Sequence, residues 1–170
     1  MALGAPEGAK VTVIEYASVT CAHCAEWQRT TWADFKAKYV DTGKVRYVFR
    51  EIPTNPVPVA AAGFMLARCA GPEKYFDVVH TIMASQNEIF SGQPFRGTLL
   101  RIAQEQGGLT KAQFETCLKD KAGAEALDMR VKAGQDAGVT GTPTFLVNGE
   151  KVIEPNLTNL STAIDAALAK

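Results

Sequence analysis

Two hydrophobic periodicities alternate along the chain. Val11-Thr12-Val13-Ile14-Glu15-Tyr16 is β-prone, with Val11, Val13 and Glu15 on one face and Thr12, Ile14 and Tyr16 on the other. Both faces are largely apolar, which predicts a strand covered by helices on both sides. From Cys21 to Tyr39 the spacing becomes helical, with Trp27, Trp32, Phe35 and Tyr39 as its large apolar positions. Ser18 or Thr20 is placed to cap this helix, and Asp41-Thr42-Gly43 ends it. Lys44 to Arg50 alternates again, with Val45, Tyr47 and Phe49 on one face. The first third therefore predicts strand–helix–strand, and the crossover is long enough for the two strands to pair in parallel.

Pro53, Pro56 and Pro58 interrupt the pattern, and a helical block follows. Its predicted helices are Val57 to Ala70, Pro72 to Ser85, Pro94 to Gln106, Thr110 to Lys119 and Ala124 to Ala137. Gly71-Pro72, Gly92-Gln93-Pro94 and Gly107-Gly108 separate them, and Pro72 and Pro94 suit a first helical turn. After Gly138 alternation returns. Thr144 to Val147, Asn148-Gly149 and Lys151 to Ile153 predict a hairpin with a type I′ turn. Leu157, Leu160, Ile164 and Leu168 give the last segment, Leu157 to Lys170, a helical face.

The chain of 170 residues suffices for one well-buried domain, or for one domain carrying an inserted subdomain. Lys plus Arg (18) balances Asp plus Glu (18), so no net field favours nucleic acid or an anionic membrane. The longest apolar stretch, Val57 to Ala67, is too short to span a bilayer. Met1 to Lys10 lacks the basic start and apolar centre of a secretory signal. These observations leave open a cytosolic protein or an exported form whose signal has been removed.

The chemistry concentrates at Cys21-Ala22-His23-Cys24. Two thiols in a C-x-x-C can close a small disulfide ring, and the first lies at a helix start. There, unpartnered N–H groups and the positive end of the helix dipole favour thiolate over thiol. Cys21 is expected to be the exposed nucleophile, and Cys24, one turn deeper, the buried partner. His23, between them, is placed to stabilise the Cys21 thiolate. Glu15 is a carboxylate on an apolar strand face, where burial is costly unless it is partnered or protonated. Lys44, Arg46 or Arg50 could supply a charge partner. Cys69 and Cys117 lie in the helical block, and an even cysteine count is compatible with a second disulfide or with two buried free thiols. His80 is expected to be a packed or surface residue without chemistry.

The order β-α-β, helical block, β-β-α resembles the thioredoxin fold, and within it the DsbA family of periplasmic dithiol oxidases. Val13-Ile14-Glu15-Tyr16, Cys21-Ala22-His23-Cys24, the strand ending Val48-Phe49-Arg50, and Gly141-Thr142-Pro143-Thr144-Phe145 carry the resemblance. The chain departs from the best-known members at Ala22, where they often carry Pro, and at Thr142, where they often carry Val. It is similar in Thr142 to isomerases and to some alphaproteobacterial members.

The resemblance implies an α/β thioredoxin-like domain from residues 1–56 and 138–170, with an all-helical subdomain, 57–137, inserted. It implies a cis Thr142–Pro143 peptide facing the cysteines and pairing with an extended substrate. It places Glu15 beneath Cys24 as a mover of its proton, and the Thr142 hydroxyl near Cys21. It raises pairing of Cys69 with Cys117 as a structural disulfide. The implied function is a periplasmic protein dithiol oxidase acting on reduced, unfolded secreted proteins. It would be re-oxidised by a DsbB-type membrane partner, and would be a monomer needing no metal or organic cofactor. Two alternatives compete. One is a disulfide isomerase or reductase of the same fold, favoured by Thr142 and disfavoured by the lack of an added dimerisation domain. The other is a copper or zinc carrier using Cys21, His23 and Cys24, which sit too close together to complete a tetrahedral site easily.

Overall fold

A computed structural model describes residues 1–92 and 94–170 of the chain. Gln93, in the predicted break before Pro94, lies outside the described residues. The described strands are β1 (Ala2–Gly4), β2 (Thr12–Ala17), β3 (Arg46–Glu51), β4 (Thr144–Val147) and β5 (Glu150–Val152). They form one mixed sheet in the order β1-β3-β2-β4-β5. β2 runs parallel to β3 and antiparallel to β4, with Glu15 opposite Phe49 on one side and Phe145 on the other. This is the thioredoxin fold with a helical insertion between β3 and β4.

The helix after β2 is not continuous. It divides into α1 (Ala22–Thr30), α2 (Trp32–Phe35) and a π turn, Lys36–Val40. Thr31 sits outside helical geometry at φ −124°, and Thr30 Oγ1 donates to the Glu26 carbonyl at 2.8 Å. Such back-bonding by a β-branched hydroxyl residue weakens the helical ladder locally. The cap of α1 is Cys21 itself, whose sulfur accepts from the Cys24 N–H, rather than Ser18 or Thr20.

The insertion comprises α3 (Val57–Cys69), α4 (Tyr75–Ala84), α5 (Gln86–Ile89), α6 (Phe95–Glu105), α7 (Lys111–Cys117) and α8 (Lys121–Asp136). Pro72 lies in a turn ahead of α4, and Pro94 is the residue before α6. The hairpin turn has Asn148 at φ 49° and Gly149 at φ 90°, both in the left-handed region that a type I′ turn requires. α9 (Leu157–Ala169) closes the chain and packs against β4 and β5.

One face of β2 is fully buried, while Thr12 and Ile14 on the other are half-covered. Sequence alternation predicted cover on both sides. α8 reaches that second face only near Tyr16, where Gly134 permits close approach. The core is aromatic: Trp27, Trp32, Phe35, Tyr47, Phe76 and Phe145 interleave beneath α1, with Trp27 and Phe145 centroids 4.6 Å apart. No helix among the described residues is long and apolar enough to cross a membrane.

Candidate active site

The end of β2 delivers the chain to the site through Ser18 and Thr20, which are polar yet buried. Burial requires their hydroxyls to be bonded. Ser18 Oγ accepts the Thr54 N–H at 3.1 Å, and Thr20 Oγ1 donates to the Thr54 carbonyl at 2.9 Å. From the insertion, the buried Gln86 carboxamide donates to the carbonyls of Val19 (2.8 Å) and Cys21 (3.1 Å). The turn bearing the cysteines is thus held from β3's exit loop and from α5. Sequence reading did not select Gln86, because nothing local marks a glutamine whose partners are more than sixty positions away.

Cys21 and Cys24 are both free thiols, the first half-exposed and the second buried. Their chemistry is correspondingly split. The Cys24 thiol, the Thr142 side chain and the backbone N–H groups of Cys24 and His23 hydrogen-bond the Cys21 sulfur and outweigh its burial. Its pKa falls from 9.0 to about 5. Burial pushes the Cys24 thiol far up, and its contact with Cys21 adds to the effect. At neutral pH Cys21 is therefore a thiolate and Cys24 a thiol. The His23 side chain stands exposed, and its backbone N–H is what it directs at Cys21.

The Thr142–Pro143 peptide is cis. It brings the Thr142 carbonyl to 3.4 Å from Cys21 Sγ, a contact in which only the protonated form of Cys21 can donate. A cleft of about 360 Å³ runs from Thr142 and Pro143 past Lys151, Ile153 and Glu154. Ile153 is an exposed apolar side chain there, and Trp27 Nε1 fixes the adjoining loop by donating to the Pro155 carbonyl at 2.6 Å.

Glu15 is buried beneath the cysteines, 3% exposed. None of the three proposed basic residues is its partner: Lys44 and Arg50 point to solvent and Arg46 is half-buried at the far end of β3. Instead Tyr47 donates its hydroxyl to Glu15 Oε2. Burial raises the carboxyl from 4.5 to about 8, and the Tyr47 hydrogen bond opposes that rise only in part. Glu15 is thus mostly protonated at pH 7. A second buried carboxylate, Glu51, escaped sequence reading. It ends β3 and receives Arg68 Nε from α3 at 2.6 Å, Tyr75 Oη from α4 at 2.9 Å and Arg130 Nε from α8. Burial alone would raise its pKa, but the two arginines bring it below the usual value, so it is ionised.

Cys69 and Cys117 form a disulfide between α3 and α7, away from the cysteine pair. His80 packs edge-on against Trp32, and burial lowers its pKa to about 4, so it is neutral. No cluster of three His, Cys, Asp or Glu side chains fit to hold a metal occurs among the described residues.

A thioredoxin family model matches residues 1–166. A Rickettsia bellii protein, provisionally named a protein-disulfide oxidoreductase, is 35% identical over 161 residues, 94% of this chain and 61% of that protein. The chain therefore spans about three-fifths of the length of that relative. A Salinispora tropica protein named as a Na(+)/H(+) antiporter is 34% identical over 167 residues, 24% of its own length. Among solved structures, alpha-DsbA1 of Wolbachia pipientis superposes with a TM-score of 0.88 at 27% identity, covering 99% of this chain and 90% of that one.

Proposed function

The chain belongs to the thioredoxin family, in its DsbA-type branch of protein-disulfide oxidoreductases, and from that premise we propose that it is a protein dithiol oxidase. The observation that carries the reading is the split between Cys21 and Cys24. A stabilised Cys21 thiolate is a good leaving group and stabilises the reduced pair, which makes the oxidised pair a strong oxidant.

A substrate thiolate attacks Cys21 Sγ of the oxidised pair. The Cys21–Cys24 bond breaks, its electron pair leaves on the Cys24 sulfur, and that sulfur takes up a proton. A second substrate thiolate then attacks the substrate sulfur of the mixed disulfide. Cys21 departs as thiolate, and the substrate keeps the new disulfide. The cis-proline loop supports an extended substrate beside Cys21, with the cleft past Ile153 as its neighbour. Glu15 is the proton donor to Cys24, and Thr142 and His23 tune Cys21. The substrates are reduced, unfolded secreted proteins met in the periplasm, the protein acts as a monomer, and a DsbB-type membrane protein restores the disulfide.

Thr142 before the cis proline favours the alternative of an isomerase. Equilibrating the Cys21–Cys24 pair against glutathione buffers separates the two readings. A potential near that of DsbA itself, about −120 mV, supports the oxidase; one near that of thioredoxin, about −270 mV, refutes it.

A further inference from the structure

We propose that Tyr47 is a positioning residue of the buried proton relay, its hydroxyl holding the Glu15 carboxylate that remains when the carboxyl gives its proton to Cys24. The inference deepens the proposed function and rests on that reading.

The sheet register places the two groups together. Glu15 on β2 is opposite Phe49 on β3, and Tyr47 lies two positions before Phe49, on the same face. Diagonal neighbours across a pair of strands are within reach of a long side chain. Tyr47 is fully buried, its ring 4.9 Å from that of Trp32, 5.9 Å from Phe35 and 6.0 Å from Phe76. Within this packing its hydroxyl donates to Glu15 Oε2.

A phenol does there what a cation would not. A lysine or arginine beside Glu15 would keep the carboxyl ionised at neutral pH and without a proton to give. A neutral O–H donor leaves the carboxyl protonated, yet stabilises the carboxylate once the proton has gone. Burial and the neighbouring Glu15 hold the Tyr47 hydroxyl well above 10, so it remains a donor throughout. The step balances. The Cys21–Cys24 bond breaks as substrate sulfur bonds to Cys21, the electron pair goes to Cys24, and the Glu15 proton follows to that sulfur. The carboxylate left behind accepts the Tyr47 O–H. Re-oxidation of the pair runs the same transfer backwards.

The titratable groups around Glu15 are few. The cap of α1 presents Cys21 and its first turn Cys24, β3 presents Tyr47, α4 presents Tyr75 behind it, and the β4 residue opposite is the uncharged Phe145.

The test is a pH titration of the Glu15 carboxyl by ¹³C NMR in the reduced full chain, as wild type and as Tyr47→Phe. It is paired with single-turnover oxidation of a reduced peptide, expressed per substrate thiolate. Losing a hydrogen bond to a charged acceptor moves both midpoints up by about one to two pH units. In Glu15→Gln the rate loses that inflection, and adding Tyr47→Phe to Glu15→Gln leaves the profile unchanged. A folded Tyr47→Phe protein with the wild-type midpoint overturns the inference. Should Tyr47→Phe not fold, the Tyr47 Cζ shift in the wild type must follow the Glu15 midpoint, and a flat response overturns it. If the wild type oxidises no peptide, the functional reading fails, while the carboxyl titration still decides the role of Tyr47.

Discussion

Replacing Glu15 by Gln stabilises the reduced protein, by an amount that grows with pH. The carboxyl titrates at about 8 in the fold against 4.5 for an unburied carboxyl. Between those values the folded state binds a proton that the unfolded chain has released. Stability is thus greatest below pH 4.5 and falls as pH rises toward 8, the opposite of the usual carboxylate. Each pH unit in that window is worth about 1.4 kcal/mol. The Glu15 contribution at pH 7 is therefore about 3 kcal/mol below its value at pH 4.5. Gln keeps the side chain's shape and still accepts from Tyr47, but does not ionise. The reduced Glu15→Gln protein should match the wild type near pH 4.5 and exceed it by about 3 kcal/mol at pH 7. Over 170 residues that is about 8 °C in melting temperature. Urea unfolding of both proteins at pH 4.5, 6, 7 and 8 measures it. A difference that does not change with pH, or a variant weaker than wild type at pH 7, would refute the reasoning.

Two further outcomes concern stability away from the cysteine pair. Cys69→Ala with Cys117→Ala opens a loop of sequence separation 48 and should cost about 4 kcal/mol on the chain-entropy model, seen as a lower urea midpoint. Glu51→Ala leaves two arginines 32% and 24% exposed without their carboxylate, and Tyr75 without its acceptor; it should cost about 3 kcal/mol at pH 7. Because the Glu51 carboxyl is lowered in the fold, its contribution is present above pH 4.5 and should fade as pH drops through the folded value, which acid-range urea curves would show.

The legible parts of this chain are the local ones. The cysteine pair could be read because a strand, a turn and a helix start are contiguous from Val11 to Cys24. The hairpin was equally plain, since Asn148-Gly149 marks its own turn. β1 escaped notice because three residues ending in Gly4 carry almost no alternation. The break at Thr31 left a weak trace, the Thr30-Thr31 doublet, inside an otherwise unbroken helical pattern. The partner of Glu15 was missed for a different reason. Tyr47 was placed on the correct face of its strand, but which residue of β3 stands beside Glu15 depends on register, which alternation does not specify. Basic residues were then the natural guess for a buried acid, and the fold uses a phenol instead. Glu51 was hidden because its arginines come from α3 and α8, far along the chain.

Gln86 has a bearing on transplantation. Its carboxamide grips the carbonyls of Val19 and Cys21 from a helix that a minimal thioredoxin scaffold lacks. Grafting Cys21-Ala22-His23-Cys24 onto such a scaffold would move the sulfurs without their outside brace. A donor fragment that preserves this site has to bring α5 with it, so the smallest portable unit is discontinuous in sequence.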